Sequence, residues 1–146
     1  MIKDELESLE FIENSRFKIK SKDNEFKNFK GILTGISNDI YEWNGIRCTG
    51  DHLILINNEW KHVKDLEDSI KLNASERVYD FLEVEDHNAY MSNDYLHHNC
   101  QTGEQLISIK DKKTNEKKLV SFKQLEMMID LDNVGIDYND SKIIEI

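Results

Sequence analysis

"RCTGDHLILINNEWKHVKDL", residues 47–66, is the stretch on which the reading of the fold turns. The apolar run HLILI ends at Asn57-Asn58, a pair suited to a turn, and the chain resumes as EWKHVKDL. The stretch therefore reads as two strands joined by a turn. Outward from it, RFKIK at 16–20 alternates as a half-buried strand does, and RVYDFLEVED (77–86) and LISIK (106–110) are further strand candidates. One segment has a helical face: in SFKQLEMMI (121–129), Phe122, Leu125, Met128 and Ile129 fall at helical spacing, and Ser121 with Gln124 can form a capping box. The first dozen residues suggest a short amphipathic turn through Ile2, Leu6 and Leu9. Proline is absent, so turns must rest on Gly, Asn and Asp; SND at 37–39 and again at 92–94, NN at 57–58 and DLDN at 130–133 are the candidates. Many short strands with one or two short helices predict an all-β architecture.

Composition narrows the function. A chain of 146 residues with 38% hydrophobic residues suits one folded domain, residues 1–146. The longest apolar runs are short (HLILI, and KIIEI at 142–146), and no apolar segment follows Met1, so neither a membrane span nor a secretory signal is expected. A soluble, cytoplasmic protein is the expectation. The formal charge of −10 repels a phosphate backbone and no basic cluster offsets it, which argues against nucleic acid as a partner. Two cysteines, Cys48 and Cys100, are too few for a disulfide-stapled scaffold.

The chemistry is concentrated in YLHHNCQTGEQLISIK, residues 95–110, where two histidines precede Asn99-Cys100. An Asn side-chain amide can attack its own backbone carbonyl, giving a succinimide and releasing the next residue with a free amine. The amide nitrogen is a poor nucleophile, so the reaction needs histidines such as His98 to polarise the carbonyl and protonate the leaving nitrogen. A Cys in the following position can attack the same carbonyl with its thiol, converting a peptide into a thioester.

With that pair in view, the chain resembles the inteins, the domains that carry out protein splicing. RCTGDHLILI matches their TxxH block in Thr49 and His52; VYDFLEVEDHNAYMSNDYLHHN matches the last two blocks in Asp80, His87, His98 and Asn99; CQTGEQLISIK matches the opening block in Cys100 and Gly103. FKNFKGI and the compact C-terminal segment look most like the inteins of phage terminase large subunits, several of which are naturally split. The order of the blocks is unusual. An intein begins at its Cys and ends at its Asn, whereas here the closing Asn99 is followed directly by the opening Cys100, as in a circular permutation with the C-terminal fragment, 1–99, fused to the N-terminal fragment, 100–146.

The resemblance implies a disc-shaped Hint fold, self-processing rather than turnover, no cofactor and no metal, and two kinds of partner: flanking extein polypeptides and, in a split form, the complementary fragment. It makes Cys100 the nucleophile of the N-to-S acyl shift. His52 would distort and protonate the first scissile amide with Thr49 as hydrogen-bonding companion, and Asp80 would assist acyl transfer. His87 and His98 would serve Asn99 cyclisation. Glu104-Gln105 stand where the opening block usually has Asp-Thr, so contacts around the nucleophile should differ. Cys48 reads as core, and His97 has no assigned role. Two other classes compete: a zinc module built from Cys48, His52, His97, His98 and Cys100, and a Cys-His hydrolase acting on external substrates.

Overall fold

The structure, a computed structural model, describes residues 7–85, 89–92, 95–98 and 100–139. His87 and Asn99 lie outside the described residues, as do Ile2, Leu6 and the KIIEI run.

The turn at Asn57-Asn58 forms as expected. Both residues have positive φ, 50° and 65°, the backbone of a two-residue hairpin whose twist suits the flanking strands and which Asn tolerates better than most residues. It joins β7 (Leu53–Ile56) to β8 (Glu59–His62), paired from Ile56↔Glu59 back to Leu53↔His62. The first half of the stretch is divided, however. RCTGDHLILI is not a single strand: β6 (Ile46–Thr49) stops before Gly50, and the chain bends before β7 starts in a different sheet. The bend is closed by the His52 amide donating to the Thr49 carbonyl at 3.1 Å. A Cβ on Gly50 would lie 2.7 Å from the Tyr41 ring and 2.9 Å from the Asp39 carboxylate, so the corner has room only for glycine.

Three antiparallel sheets result, confirming the all-β expectation. The largest has seven strands in the order β1 (Glu7–Glu13), β4 (Gly31–Ser37), β10 (Glu76–Leu82), β13 (Gln101–Thr102), β6, β5 (Ile40–Trp43) and β9 (Ile70–Leu72). A second runs β11 (Tyr90–Ser92), β12 (Tyr95–His98), β7, β8, and a third β15 (Lys117–Ser121), β14 (Leu106–Asp111), β2 (Phe17–Lys20), β3 (Phe26–Asn28). RFKIK and LISIK are neighbours in the third sheet, with Ile109 opposite Ile19. Their alternation places Phe17, Ile19, Ile107 and Ile109 in the main core, where they meet Ile32, Phe81 and Tyr90.

The one α-helix among the described residues, α1 (Phe122–Asn133), starts with the expected capping box: Ser121 Oγ accepts from the Gln124 amide while Gln124 Oε1 accepts from the Ser121 amide. Phe122, Leu125, Met128 and Ile129 are its buried face. Residues 130–133, expected as a turn, instead continue this helix. Leu131 packs against the core and holds the last turn helical, and the stop comes at Gly135 (φ 81°). There the Gly135 and Ile136 amides donate to the Asp132 and Leu131 carbonyls at 3.0 and 2.9 Å, a Schellman closure. The expected N-terminal amphipathic turn is also replaced within the described residues: Leu9 belongs to β1, which pairs along β4 with a bulge at the Glu7/Glu10 step. Backbone pairing with an available sheet edge outweighs local helical periodicity there.

Candidate functional site

Strand β13 is only two residues long, yet it fills the centre of the seven-stranded sheet. On one side Val78↔Thr102 and Tyr79↔Gln101 pair it with β10; on the other Gln101↔Cys48 pairs it with β6. Continuing each register one step toward Cys100 brings Asp80 opposite it on β10 and Thr49 opposite it on β6. Directly opposed residues of antiparallel strands share a face, with Cα atoms roughly 4.5–5.5 Å apart. The thiol, the hydroxyl and the carboxyl thus come from three strands onto one face of the sheet.

Hydrogen bonds fix this seam. The Cys100 carbonyl accepts from the Thr49 amide at 3.2 Å, with Thr49 Oγ1 a further 3.5 Å contact. The single hydroxyl proton of Thr49 goes to the nearer acceptor, Asp51 Oδ1 at 2.7 Å. Just beyond, Gln101 Oε1 accepts from the Tyr90 hydroxyl at 2.7 Å, and Gln101 Nε2 donates to Gln105 Oε1 at 3.5 Å. The departure at Glu104-Gln105 therefore has two halves. Gln105 is buried and belongs to the support of β13, whereas Glu104 is exposed and ion-paired with Lys123 at 2.8 Å.

Burial sets the electrostatics. Asp80 is buried, and burial, reinforced by the like charge of Asp51, pushes its carboxyl up to about 7. It is poised to hold or release a proton near neutral pH. Burial also raises the Tyr90 hydroxyl well above its ordinary range, with Asp80 adding to the effect.

His52, also fully buried, stands at the corner where β6 gives way to β7. Its Nε2 lies 2.7 Å from Nδ1 of His97, and His97 Nε2 lies 2.6 Å from the Ser92 carbonyl. His97, left without a role by the sequence, is thus in direct contact with the TxxH histidine. Burial holds its imidazole down at about 4, so it is neutral at physiological pH. The adjacent His98 is opposite Leu53 on β7, while His97 is opposite Ile54. Successive residues of a strand face opposite ways, so the two histidines of β12 serve opposite faces.

Cys48 is core, as expected: it faces away from Thr49 and packs with Ile46, Ile54 and Val63. Burial first, then Asp51 and Asp39, raises its thiol far from ionisation. Both cysteines are thiols rather than a disulfide. Among the described residues no three His, Cys, Asp or Glu side chains gather as a metal site. Cys48, His52, His97, His98 and Cys100 accordingly do not gather as the zinc arrangement would require, and both ring nitrogens of His97 are already engaged, by His52 and by the Ser92 carbonyl.

Comparison of the chain with family models, with curated proteins and with solved structures gives no match. The site must accordingly be read from its own chemistry. The structure brings together Thr49, Asp80 and Cys100 on one seam with His52 at its corner, and places His98 on the neighbouring sheet. Sequence reasoning missed His97, Asp51, Tyr90 and Gln101. The alternation rule does say that only one of His97 and His98 can face a given side, but not which side His52 occupies.

Proposed function

We propose that this chain is a protein-splicing domain of the intein type in permuted order, with residues 1–99 as the C-terminal fragment, residues 100–146 as the N-terminal fragment, and the Hint fold as its architecture. The observation that carries this reading is the register of β13, which sets Cys100 between Thr49 and Asp80, both from the other fragment. In a splicing domain the first residue must sit inside a site built by the rest of the fold, because catalysis depends on holding reacting groups in near-attack geometry.

In the acyl shift the Cys100 thiol loses its proton as its sulfur bonds to the Asn99 carbonyl carbon. The C–N bond to the Cys100 nitrogen then breaks, and that nitrogen takes a proton. Asp80, held near neutral pKa, suits the thiol's proton; His52 suits the nitrogen's. In cyclisation the Asn99 side-chain nitrogen attacks the same carbonyl, the Cys100 amine leaves, and His98 and His87 act as proton-transfer groups. Because Asn99 is joined directly to Cys100, no extein remains to be ligated, and this chain can carry out only scission of the 99–100 bond. In a chain with natural junctions the extein polypeptides would be its substrates.

Cys100 is 0% exposed, which favours an intramolecular target over a hydrolase turning over external substrates. Intact-mass measurement of the purified chain tests the reading. A 1–99 fragment ending in a succinimide or Asn is expected to accumulate slowly beside fragment 100–146. Asn99→Ala should keep the chain whole, and replacing His98 should slow scission by about 10²- to 10⁴-fold. Undiminished cleavage in Asn99→Ala would sink the cyclisation mechanism.

A further inference from the structure

We propose that His97 is a positioning residue for His52: it holds the His52 imidazole in one orientation and in the Nε2-protonated form, with the lone pair on Nδ1. The effect on splicing rests on the function proposed above; the assignment of the proton does not.

The argument begins at Ser92. Its carbonyl oxygen can only accept, and it lies 2.6 Å from His97 Nε2, so that nitrogen carries a proton. A neutral imidazole has a single N–H, and burial keeps His97 neutral down to about pH 4. Its Nδ1 therefore presents a lone pair. His52 Nε2, 2.7 Å away, must donate to it. A neutral His52 with its proton on Nε2 has its own lone pair on Nδ1.

The His97 ring is held in this orientation from several directions. The Tyr90 ring stacks on it with centroids 5.7 Å apart and planes inclined by 23°, and Tyr95 meets it edge-on at 6.5 Å. Ser92 is itself anchored, its hydroxyl donating to the Leu106 carbonyl at 2.6 Å. Tyr90, through its hydroxyl on Gln101, also braces the residue after Cys100. One aromatic side chain thus supports both the nucleophile's strand and the ring that orients His52.

The device resembles the carboxylate of a hydrolytic triad, which fixes a histidine's tautomer and orientation through the nitrogen not used in proton transfer. Here the partner is a neutral imidazole. It can accept from His52 in both of that residue's charge states, so it orients the ring without holding it permanently charged.

The test uses the full chain with Asn99→Ala, which keeps the 99–100 bond, and ¹⁵N-labelled histidine at neutral pH. Nitrogen chemical shifts should place the proton on Nε2 of both His52 and His97, and a scalar coupling between His52 Nε2 and His97 Nδ1 should be visible across the hydrogen bond. A proton on Nδ1 of neutral His52, or no coupling between the rings, overturns the proposal, and this measurement needs no change at position 97. The second arm replaces His97. His97→Asn, whose side-chain oxygen can accept in place of Nδ1, should keep His52 protonated at Nε2. His97→Phe should let its two tautomers mix and slow thiol-induced cleavage at residue 99 by about 10- to 100-fold. Absence of cleavage in all the variants, with the coupling present in the chain that keeps His97, would count against splicing and leave the positioning assignment standing. Normal cleavage with an unchanged His52 tautomer in His97→Phe would do the reverse.

Discussion

At the scale of single residues, Asp80 is the group whose environment departs most usefully from water. A carboxyl near 7 in the folded chain and near 4 when unfolded binds more protons in the native state between those values. Stability contributed by this group is therefore complete below about pH 4 and is lost as pH rises through 7. Asp80→Asn is expected to raise stability at pH 8 and change it little at pH 4, as read by urea unfolding at the two values. An equal effect at both would show that the carboxyl is ionised throughout. The same substitution should depress thiol-induced cleavage at residue 99, because the amide cannot take the thiol's proton. His97 has the opposite slope. Its imidazole, held at about 4, contributes stability above the ordinary histidine range that is lost as pH falls toward 4.

At the scale of elements, the helix and the hairpin are specified by their own ends. The capping box at Ser121 satisfies two amides of the first turn of α1, and the Schellman closure at Gly135 satisfies two carbonyls of the last. Ser121→Ala should cost about 1 kcal/mol, measurable as a lower urea midpoint with unchanged slope. This helix matters to the site because its N-terminus is tied to the turn after β13: the Phe122 and Lys123 amides donate to the Gln105 and Gly103 carbonyls, each at 3.2 Å. Loosening the cap should therefore also reduce the rate of any reaction at Cys100. The division of RCTGDHLILI at Gly50 is the complementary case. Its side chains suit a continuous strand, but the chain bends there, closed by the His52 amide on the Thr49 carbonyl, at a glycine whose missing side chain lets Tyr41 and Asp39 approach closely.

At the scale of the molecule, residues 1–99 and 100–146 are interleaved rather than apposed, since β13 enters one sheet and β14 another. A buried ionic cluster joins the same two segments. Arg16 grips Asp111 through Nε at 3.0 Å and Nη2 at 2.9 Å, and Tyr138 donates its hydroxyl to the same carboxylate at 2.7 Å. Asp132 and Asp137 lie 3.3 and 3.4 Å from the guanidinium. Burial pushes the Asp111 carboxyl up, but the bonds from Arg16, Tyr138 and the Lys113 amide outweigh it and hold the group at about 2. Its contribution is thus present above pH 4 and lost as pH falls through 2. Arg16→Met, which strands that carboxylate, should destabilise the chain by roughly 3–5 kcal/mol. Both segments are net acidic, with 12 basic against 20 acidic residues in 1–99 and 7 against 9 in 100–146. Long-range attraction will not bring them together, and the local ion pairs are largely hidden from salt. Association of the two segments made as separate chains should weaken only modestly between low and high salt, as measured by titration calorimetry; a steep loss would place the binding energy on the surface.

The sequence by itself determined the features whose causes are local. The Asn57-Asn58 hairpin, the capped face of α1 and the alternating inward residues of β2 and β14 all depend on neighbours within a few positions. So does the adjacency of the Asn99 amide and the Cys100 thiol to one backbone carbonyl, which the order of the residues fixes. What only the tertiary structure decided is each thing that depends on distant strands. It placed Cys100 between Thr49 and Asp80, ended β6 at Gly50, drew Leu9 into a strand, continued α1 through 130–133 and set His97 rather than His98 against His52. Strand register is fixed by which apolar faces pack and which edges are open, and those partners lie tens of residues away. A pair of adjacent histidines carries no local mark of which will face the core, because the two sides of a strand become different only once the sheets have closed around it.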